Sequence, residues 1–254
     1  LPILQKTDLI LIISVAKVDV SESMDLYSSS VRERFALVER PLMNSSYPPR
    51  VDYDNDENSI RSSSVHPDPF EQFKLWYSEE EIEGVEEPHR ISLATCTPDG
   101  IPSLRMVLLK IFGPEGFFFF TDYQSRKAQE LSLNPKAAIL SHWPRLQRQV
   151  RIEGSVKKAS REVSEKYFDD RPRLSQAAAS VSSQSSEMLD RDEFESRLKG
   201  LATGSSTLSC PENWGGYCLV PELFEFWQGQ RGRVHDRVIY EKTPAGWILK
   251  ELQP

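Results

Sequence analysis

Residues 91–121 read ISLATCTPDGIPSLRMVLLKIFGPEGFFFFT, three runs rich in apolar and β-branched residues separated by two turn signals. Pro98-Asp99-Gly100 and Gly113-Pro114-Glu115-Gly116 supply what tight turns need: a fixed φ from proline and free access to positive φ from glycine. The runs Ile91–Thr97, Leu104–Phe112 and Phe117–Thr121 have strand length, and the last is too aromatic and too short for a helix. Strands joined by tight turns pair antiparallel.

The neighbouring sequence extends this pattern. Upstream, Asp68 is placed to cap a helix carrying Phe70, Phe73 and Leu75–Tyr77 and ending near Gly84. Downstream, Ser125 opens a helix that stops at Asn134-Pro135, and strands Ala137–Trp143 and Gln149–Lys157 follow. Ser160 opens a further helix to Arg171, and a serine-rich helical region runs to about Leu201. Strands Tyr217–Val220, Phe224–Gln228, Val234–Tyr240 and Trp247–Leu252 close the chain. Many short strands with a few inserted helices predict an antiparallel barrel, not alternating β-α units.

The 254 residues carry a net charge of −7, which argues against nucleic-acid binding through a general basic surface. The charge is uneven. Residues 1–100 hold 19 acids and 9 bases, whereas residues 101–254 hold 19 acids and 22 bases. The second part suits an anionic small molecule. No apolar run reaches the roughly 18 residues of a membrane span, and Cys96, Cys210 and Cys218 show neither paired nor metal-ligand spacing. A soluble cytoplasmic protein without a metal or membrane partner is expected. Residues 1–65, with serine clusters, Pro48-Pro49 and the acids Asp52, Asp54, Asp56 and Glu57, read as a poorly ordered extension, and 66–254 as the folded domain. An organellar targeting role for the extension stays open.

Several cationic clusters stand out in this acidic chain. Tyr167, Arg171 and Ser175 are spaced by four, so the first two share a helix face and Ser175 continues it if Pro172 only kinks the backbone. Phenol, guanidinium and hydroxyl together suit a phosphate, and a solvated helix face is the plain alternative. Arg233, His235 and Arg237 alternate at strand period and face one way, an arrangement that favours an anion there. Arg105 and Lys110 bound an apolar strand interior on opposite faces, so a shared site needs a bulge or a second subunit. Arg126 and Lys127 oppose the dipole at a helix N-terminus, which makes sense if a phosphate binds there. Gln149, Arg151 and Glu153 face away from the core-facing Val150 and Ile152. Nucleophile elbow, Walker loop and dinucleotide fingerprint are all missing.

Taken together, these segments resemble the pyridoxine/pyridoxamine 5′-phosphate oxidases. The resemblance rests on Arg105-Met-Val-Leu-Leu-Lys110, Phe119-Phe-Thr121 with Ser125-Arg-Lys127, and Arg148-Gln-Val-Arg-Ile-Glu-Gly154. It continues through Tyr167-Phe168, Arg171-Pro172, Ser175-Gln176, Gln184-Ser-Ser186, Trp214-Gly-Gly216, Glu225-Phe-Trp-Gln-Gly-Gln230 and Arg233-Val-His-Asp-Arg237. It implies a mainly β fold with inserted α-helices, an FMN-binding split β-barrel that is homodimeric with FMN at the subunit interface. The implied FMN contacts are Arg105, Met106, Val107, Leu108, Phe120, Thr121, Arg126, Lys127, Gln149, Gln184, Ser185, Trp227 and Arg237. The implied substrate contacts are Lys110, Tyr167, Arg171, Ser175, Arg233, Val234 and His235, with Arg233 and His235 catalytic. The implied reaction oxidises pyridoxamine or pyridoxine 5′-phosphate to pyridoxal 5′-phosphate and reduces O2 to hydrogen peroxide. Another split-barrel flavoprotein, such as a flavin reductase, and a non-catalytic flavin or pyridoxal-phosphate carrier are the alternatives. The chain departs from the family pattern at His142, at Ala177-Ala178 and in the segment before Trp214.

Overall fold

The computed structural model describes Tyr53, residues 58–84 and residues 86–254. Helix α1 (Pro69–Ile82) starts as expected: the Asp68 carboxylate accepts from the Phe70 amide at 2.8 Å, and Pro69 takes the first turn, where its missing N–H costs nothing. The helix buries Gln72, Phe73, Trp76 and Glu80. Phe73 packs edge-on against Phe112 and Phe117, and Trp76 against Phe226, so α1 is held by the aromatic core of a sheet. A fully buried Phe contributes on the order of 2 kcal/mol; that core also holds Phe119, Trp143 and Phe224.

The sheet has nine strands, all paired antiparallel: β1 (Arg90–Cys96), β2 (Pro102–Leu108), β3 (Ile111–Gly113), β4 (Gly116–Asp122), β5 (Lys136–Trp143), β6 (Arg148–Lys158), β7 (Trp214–Gln228), β8 (Asp236–Thr243) and β9 (Gly246–Glu251). The order is β2-β1-β5-β6-β7-β4-β3, with β8 on β7 and β9 on β8. Strand β7 is the spine. Its first half pairs with β4, its second half with β8, and β6 pairs along nearly all of it, which curls the sheet. Helices α2 (Arg126–Leu133), α3 (Arg161–Asp169), α4 (Arg173–Val181) and α5 (Arg191–Thr203) are inserted between strands.

Three expectations are corrected. The run 104–112 is not one strand: Leu109 and Lys110 leave the β1 ladder, the Lys110 amide donates to Phe118 at 3.0 Å, and the chain re-enters the sheet as β3 against β4. The segments Tyr217–Val220 and Phe224–Gln228 form one strand of 15 residues through Pro221. Proline lacks a ladder donor, but it lies opposite Gly154, where a register shift interrupts pairing. A Cβ at Gly154 would fall 2.1 Å from the Val220 carbonyl oxygen, so this crossing requires glycine. Finally, residues 231–233 form a 3-10 turn and β8 begins only at Asp236. Gly232 and Arg233 adopt φ of 63° and 62°, which ends the expected alternation of Arg233, His235 and Arg237 on one strand face.

The extension expected over 1–65 falls largely outside the described residues, but 58–65 are built into the domain. Ile60 is buried. The Asp236 carboxylate accepts from Ser59 Oγ (2.9 Å), the Ile60 amide (3.1 Å), Gln230 Nε2 (2.9 Å) and the Arg61 guanidinium, and Glu251 accepts from the Ser62 amide at 2.8 Å. The folded domain therefore starts before residue 66. A chain beginning at Val65 should lose on the order of 2–4 kcal/mol relative to one beginning at Asn58, because Ile60 no longer packs and Asp236 keeps only Gln230 of these four donors. Urea unfolding of the two truncations measures the difference, and equal midpoints would contradict it.

Glu80 is fully buried, and both its carboxylate oxygens lack a hydrogen-bond partner. Burial pushes it up to about 7 against the pull of Arg148. A carboxyl raised in the folded state favours folding at low pH, and that favour is lost as pH rises from about 4.5 through about 7. Glu80→Gln is therefore expected to stabilise the fold by on the order of 2 kcal/mol at pH 8 and by clearly less at pH 5. Denaturant titrations at the two pH values check the sign, and an equal gain at both would refute it.

Candidate functional site

A cavity of about 680 Å³ opens between β2, β4, the start of α2, the helices α3 and α4, and the loop at 182–185. Phe120, Tyr167 and Trp214 form its aromatic wall. The Phe120 ring lies 4.0 Å from Tyr167 and 5.7 Å from Trp214, centroid to centroid. Helix α3 docks there because Ser164 Oγ accepts from the Gly216 amide at 3.1 Å, and a Cβ at Gly216 would meet the Phe120 ring at 2.9 Å. The Arg171 guanidinium stacks over Trp214 at 4.7 Å. One of its terminal nitrogens, Nη1, is buried with no hydrogen-bond partner, and burial lowers its pKa. A buried donor without an acceptor is costly, and an anion in the cavity would satisfy it.

The second cationic feature is the start of α2. Ser125 occupies the N-cap position without bonding the helix amides; its hydroxyl donates to the Asp122 carbonyl at 2.7 Å. Lys127 is buried, and its ammonium bonds only neutral partners: Thr121 Oγ1 (3.0 Å), Ser125 Oγ (3.2 Å) and Gln184 Oε1 (2.9 Å). Burial pulls it down to about 8, helped by Arg105 and opposed by Asp122 and Glu130. Its helix has no acidic residue in the first turn. A buried cation at a positive helix end is stabilised by a phosphate and by little else.

Of the residues expected at the site, the cavity wall contains Arg105, Met106, Val107, Leu108, Lys110, Phe120, Thr121, Arg126, Lys127, Tyr167, Arg171, Gln184 and Ser185. Arg105 and Lys110 reach it from one chain, because the strand breaks between them; the opposite-face argument for a second subunit fails at this pair. Ser175 is not among the lining residues. Helix α3 ends at Asp169 and Pro172 caps a separate helix, so neither Arg171 nor Ser175 continues the helix that carries Tyr167.

Gln149, Trp227, Arg233, Val234, His235 and Arg237 are also absent from this wall and gather elsewhere. Gln149, Trp227 and Arg237 are register partners across β6, β7 and β8. Arg237 Nε donates to the buried Glu225 at 2.8 Å. The His235 ring lies 4.6 Å from Trp227, and its Nδ1 accepts from the Gln230 amide at 3.1 Å, so in the neutral ring Nε2 carries the proton. Burial, reinforced by Arg233, lowers its pKa and favours that neutral ring.

Sequence reading missed Trp214 as a wall residue, Tyr53, whose ring meets Trp227 and His235 edge-on, and Glu130, which bonds Arg105 and Arg126. Glu130 left a sequence signal in its i,i+4 spacing from Arg126, and Trp214 in the Trp214-Gly-Gly216 motif.

Residues 78–203 match the family model for pyridoxamine 5′-phosphate oxidase, and residues 214–254 match the C-terminal dimerisation region of pyridoxine 5′-phosphate oxidase. The chain belongs to the pyridoxamine 5′-phosphate oxidase family. The pyridoxine/pyridoxamine 5′-phosphate oxidase 1 of Hydrogenovibrio crunogenus is 43% identical over 200 residues, covering 77% of this chain and 93% of that protein. The oxidase of Cupriavidus taiwanensis is 46% identical over 198 residues, with 77% and 93% covered. In three dimensions, PhzG from Burkholderia lata 383, solved with tetrahydrophenazine-1-carboxylic acid, superimposes with a TM-score of 0.75 at 29% identity, covering 78% of this chain and 98% of that one. Membership of this oxidoreductase family supports a flavin cofactor and a homodimer. Among the described residues no helix is long and apolar enough to cross a membrane.

Proposed function

We propose that the chain oxidises pyridoxamine and pyridoxine 5′-phosphate to pyridoxal 5′-phosphate, with FMN as its cofactor and O2 as the final acceptor. The observation that carries this reading is a single cavity with two separate cationic grips, Lys127 at the start of α2 and Arg171 over Trp214. Two grips suit the two phosphates that the reaction brings together, one on the flavin and one on the substrate. Lys127, Arg126, Thr121 and Ser185 would hold the flavin phosphate. Arg171, Tyr167 and Lys110 would hold the substrate phosphate.

Bound there, the flavin supplies a two-electron acceptor that O2 reoxidises with release of hydrogen peroxide. The protein's share is binding, orientation and charge. Arg233, Val234 and His235 orient the substrate's reacting end, and His235 in its neutral form offers Nε2–H as a donor. Those residues lie outside the cavity wall of their own chain. We infer that a second copy brings them to it, which puts FMN at the subunit interface. The outer face of edge strand β2 supports this: Leu104 and Met106, beside the cavity, are 70% and 60% exposed, a stripe that favours cover by another chain.

Incubation with pyridoxamine 5′-phosphate in air should yield pyridoxal 5′-phosphate, ammonia and hydrogen peroxide in equal amounts. No turnover of pyridoxamine 5′-phosphate together with nicotinamide-dependent reduction of added flavin would point to a flavin reductase, and binding without turnover to a carrier.

A further inference from the structure

We propose that Glu130 is the positioning residue of the flavin-phosphate grip, fixing Arg105 and Arg126 so that the chain selects FMN over riboflavin. This rests on the assignment of the start of α2 to the flavin phosphate.

Glu130 lies one turn into α2 and is 5% exposed. Its Oε2 accepts from Thr95 Oγ1 and Ser103 Oγ, both at 2.5 Å, with Arg105 Nη2 at 3.4 Å. Its Oε1 accepts from Arg126 Nε at 2.9 Å. Burial disfavours the charged carboxyl, but the bonds from Ser103, Thr95 and Arg126 outweigh it and hold Glu130 down at about 2, so the carboxylate persists throughout the working range. Thr95 belongs to β1 and Ser103 to β2, so the carboxylate ties α2 to the sheet edge that lines the cavity.

Arg105, Arg126 and Lys127 are like charges converging on one small volume, and the Arg126 side chain is 62% exposed. Without an acceptor between them, the arginines would separate and Arg126 would explore solvent. A phosphate would then have to order both on arrival, at the cost of side-chain freedom. Glu130 removes that cost in advance. Three cations against the two carboxylates of Glu130 and Asp122 still leave a positive excess for the phosphate.

The test uses the full chain freed of flavin, titrated with FMN and with riboflavin while flavin fluorescence is followed. Loss of a charge-assisted bond predicts that Glu130→Gln raises the Kd for FMN by roughly five- to twentyfold, while the Kd for riboflavin stays within about twofold. A purely structural role would weaken both flavins alike. Equal losses, an unchanged FMN Kd or tighter FMN binding would each overturn the proposal. Thr95→Val removes a hydroxyl that donates to the carboxylate and accepts from Arg105 Nη1 at 2.6 Å, so it loosens the same carboxylate–arginine unit from outside the cavity wall; it should cost roughly two- to fivefold for FMN alone. If Glu130→Gln does not fold, the Thr95→Val result decides by the same criteria. A parent chain that binds FMN and riboflavin equally, and whose Lys127→Ala variant binds FMN unchanged, would instead sink the flavin-phosphate assignment itself.

Discussion

Lys127→Ala is expected to weaken FMN binding by roughly 10- to 100-fold, the equivalent of losing a charge-assisted contact of about 1.5–3 kcal/mol. The lysine is buried among three neutral acceptors, so no carboxylate competes with a phosphate for its direct bonds. The same burial gives the effect a pH signature. Lys127 sits near 8 in the free protein, below its ordinary 10.5, and a phosphate binds its charged form. FMN affinity should therefore be level below about pH 7 and fall as pH rises through 8, approaching tenfold per unit, because binding must then restore the proton. In Lys127→Ala this slope should vanish while the affinity falls. A variant that keeps both would show that the lysine faces no phosphate.

Arg171→Ala should raise KM for pyridoxamine 5′-phosphate by roughly tenfold or more, from the same class of lost contact. Its kcat should change much less, since a phosphate remote from the reacting carbon is held alike in ground and transition states. The prediction is sharper than helix spacing alone allows, because Arg171 carries a buried nitrogen without a partner and is stacked on Trp214. His235→Ala supplies the contrast: a residue at the reacting end should lose a larger share in kcat. Steady-state kinetics on the two variants separate the roles. An unchanged KM in Arg171→Ala would show that its guanidinium holds no substrate phosphate.

The parts of this fold that were legible in sequence are those set by local chemistry. Asp68 before Pro69 begins a helix because a carboxylate can cap it, and Gly113–Gly116 turns because glycine and proline allow it. What sequence concealed was set by partners distant along the chain. Met106 to Leu109 is an uninterrupted apolar run, and nothing local says that β2 will pair with β1 while β3 pairs with β4. That break is what lets Arg105 and Lys110 share a cavity. Pro221 looked like a strand end, yet the bulge opposite Gly154 accepts it. Arg233 and His235 fit a strand by period, and the positive φ of Gly232 and Arg233 turns them out of it.

The candidate site shows the same division. Motif resemblance named as contacts 13 of the 20 residues that line the cavity. Glu130 and Trp214 contact Arg105, Arg126 and Arg171, and such a contact is visible only once both groups have positions.

In the proposed reaction this cavity brings a phosphorylated vitamin B6 amine or alcohol to a bound flavin. The most direct test is the visible spectrum of the purified protein before and after pyridoxamine 5′-phosphate is added without oxygen. The expected result is a yellow protein whose flavin band bleaches on addition and returns when air is admitted. A colourless protein, or a flavin band that the substrate leaves unchanged, would contradict it.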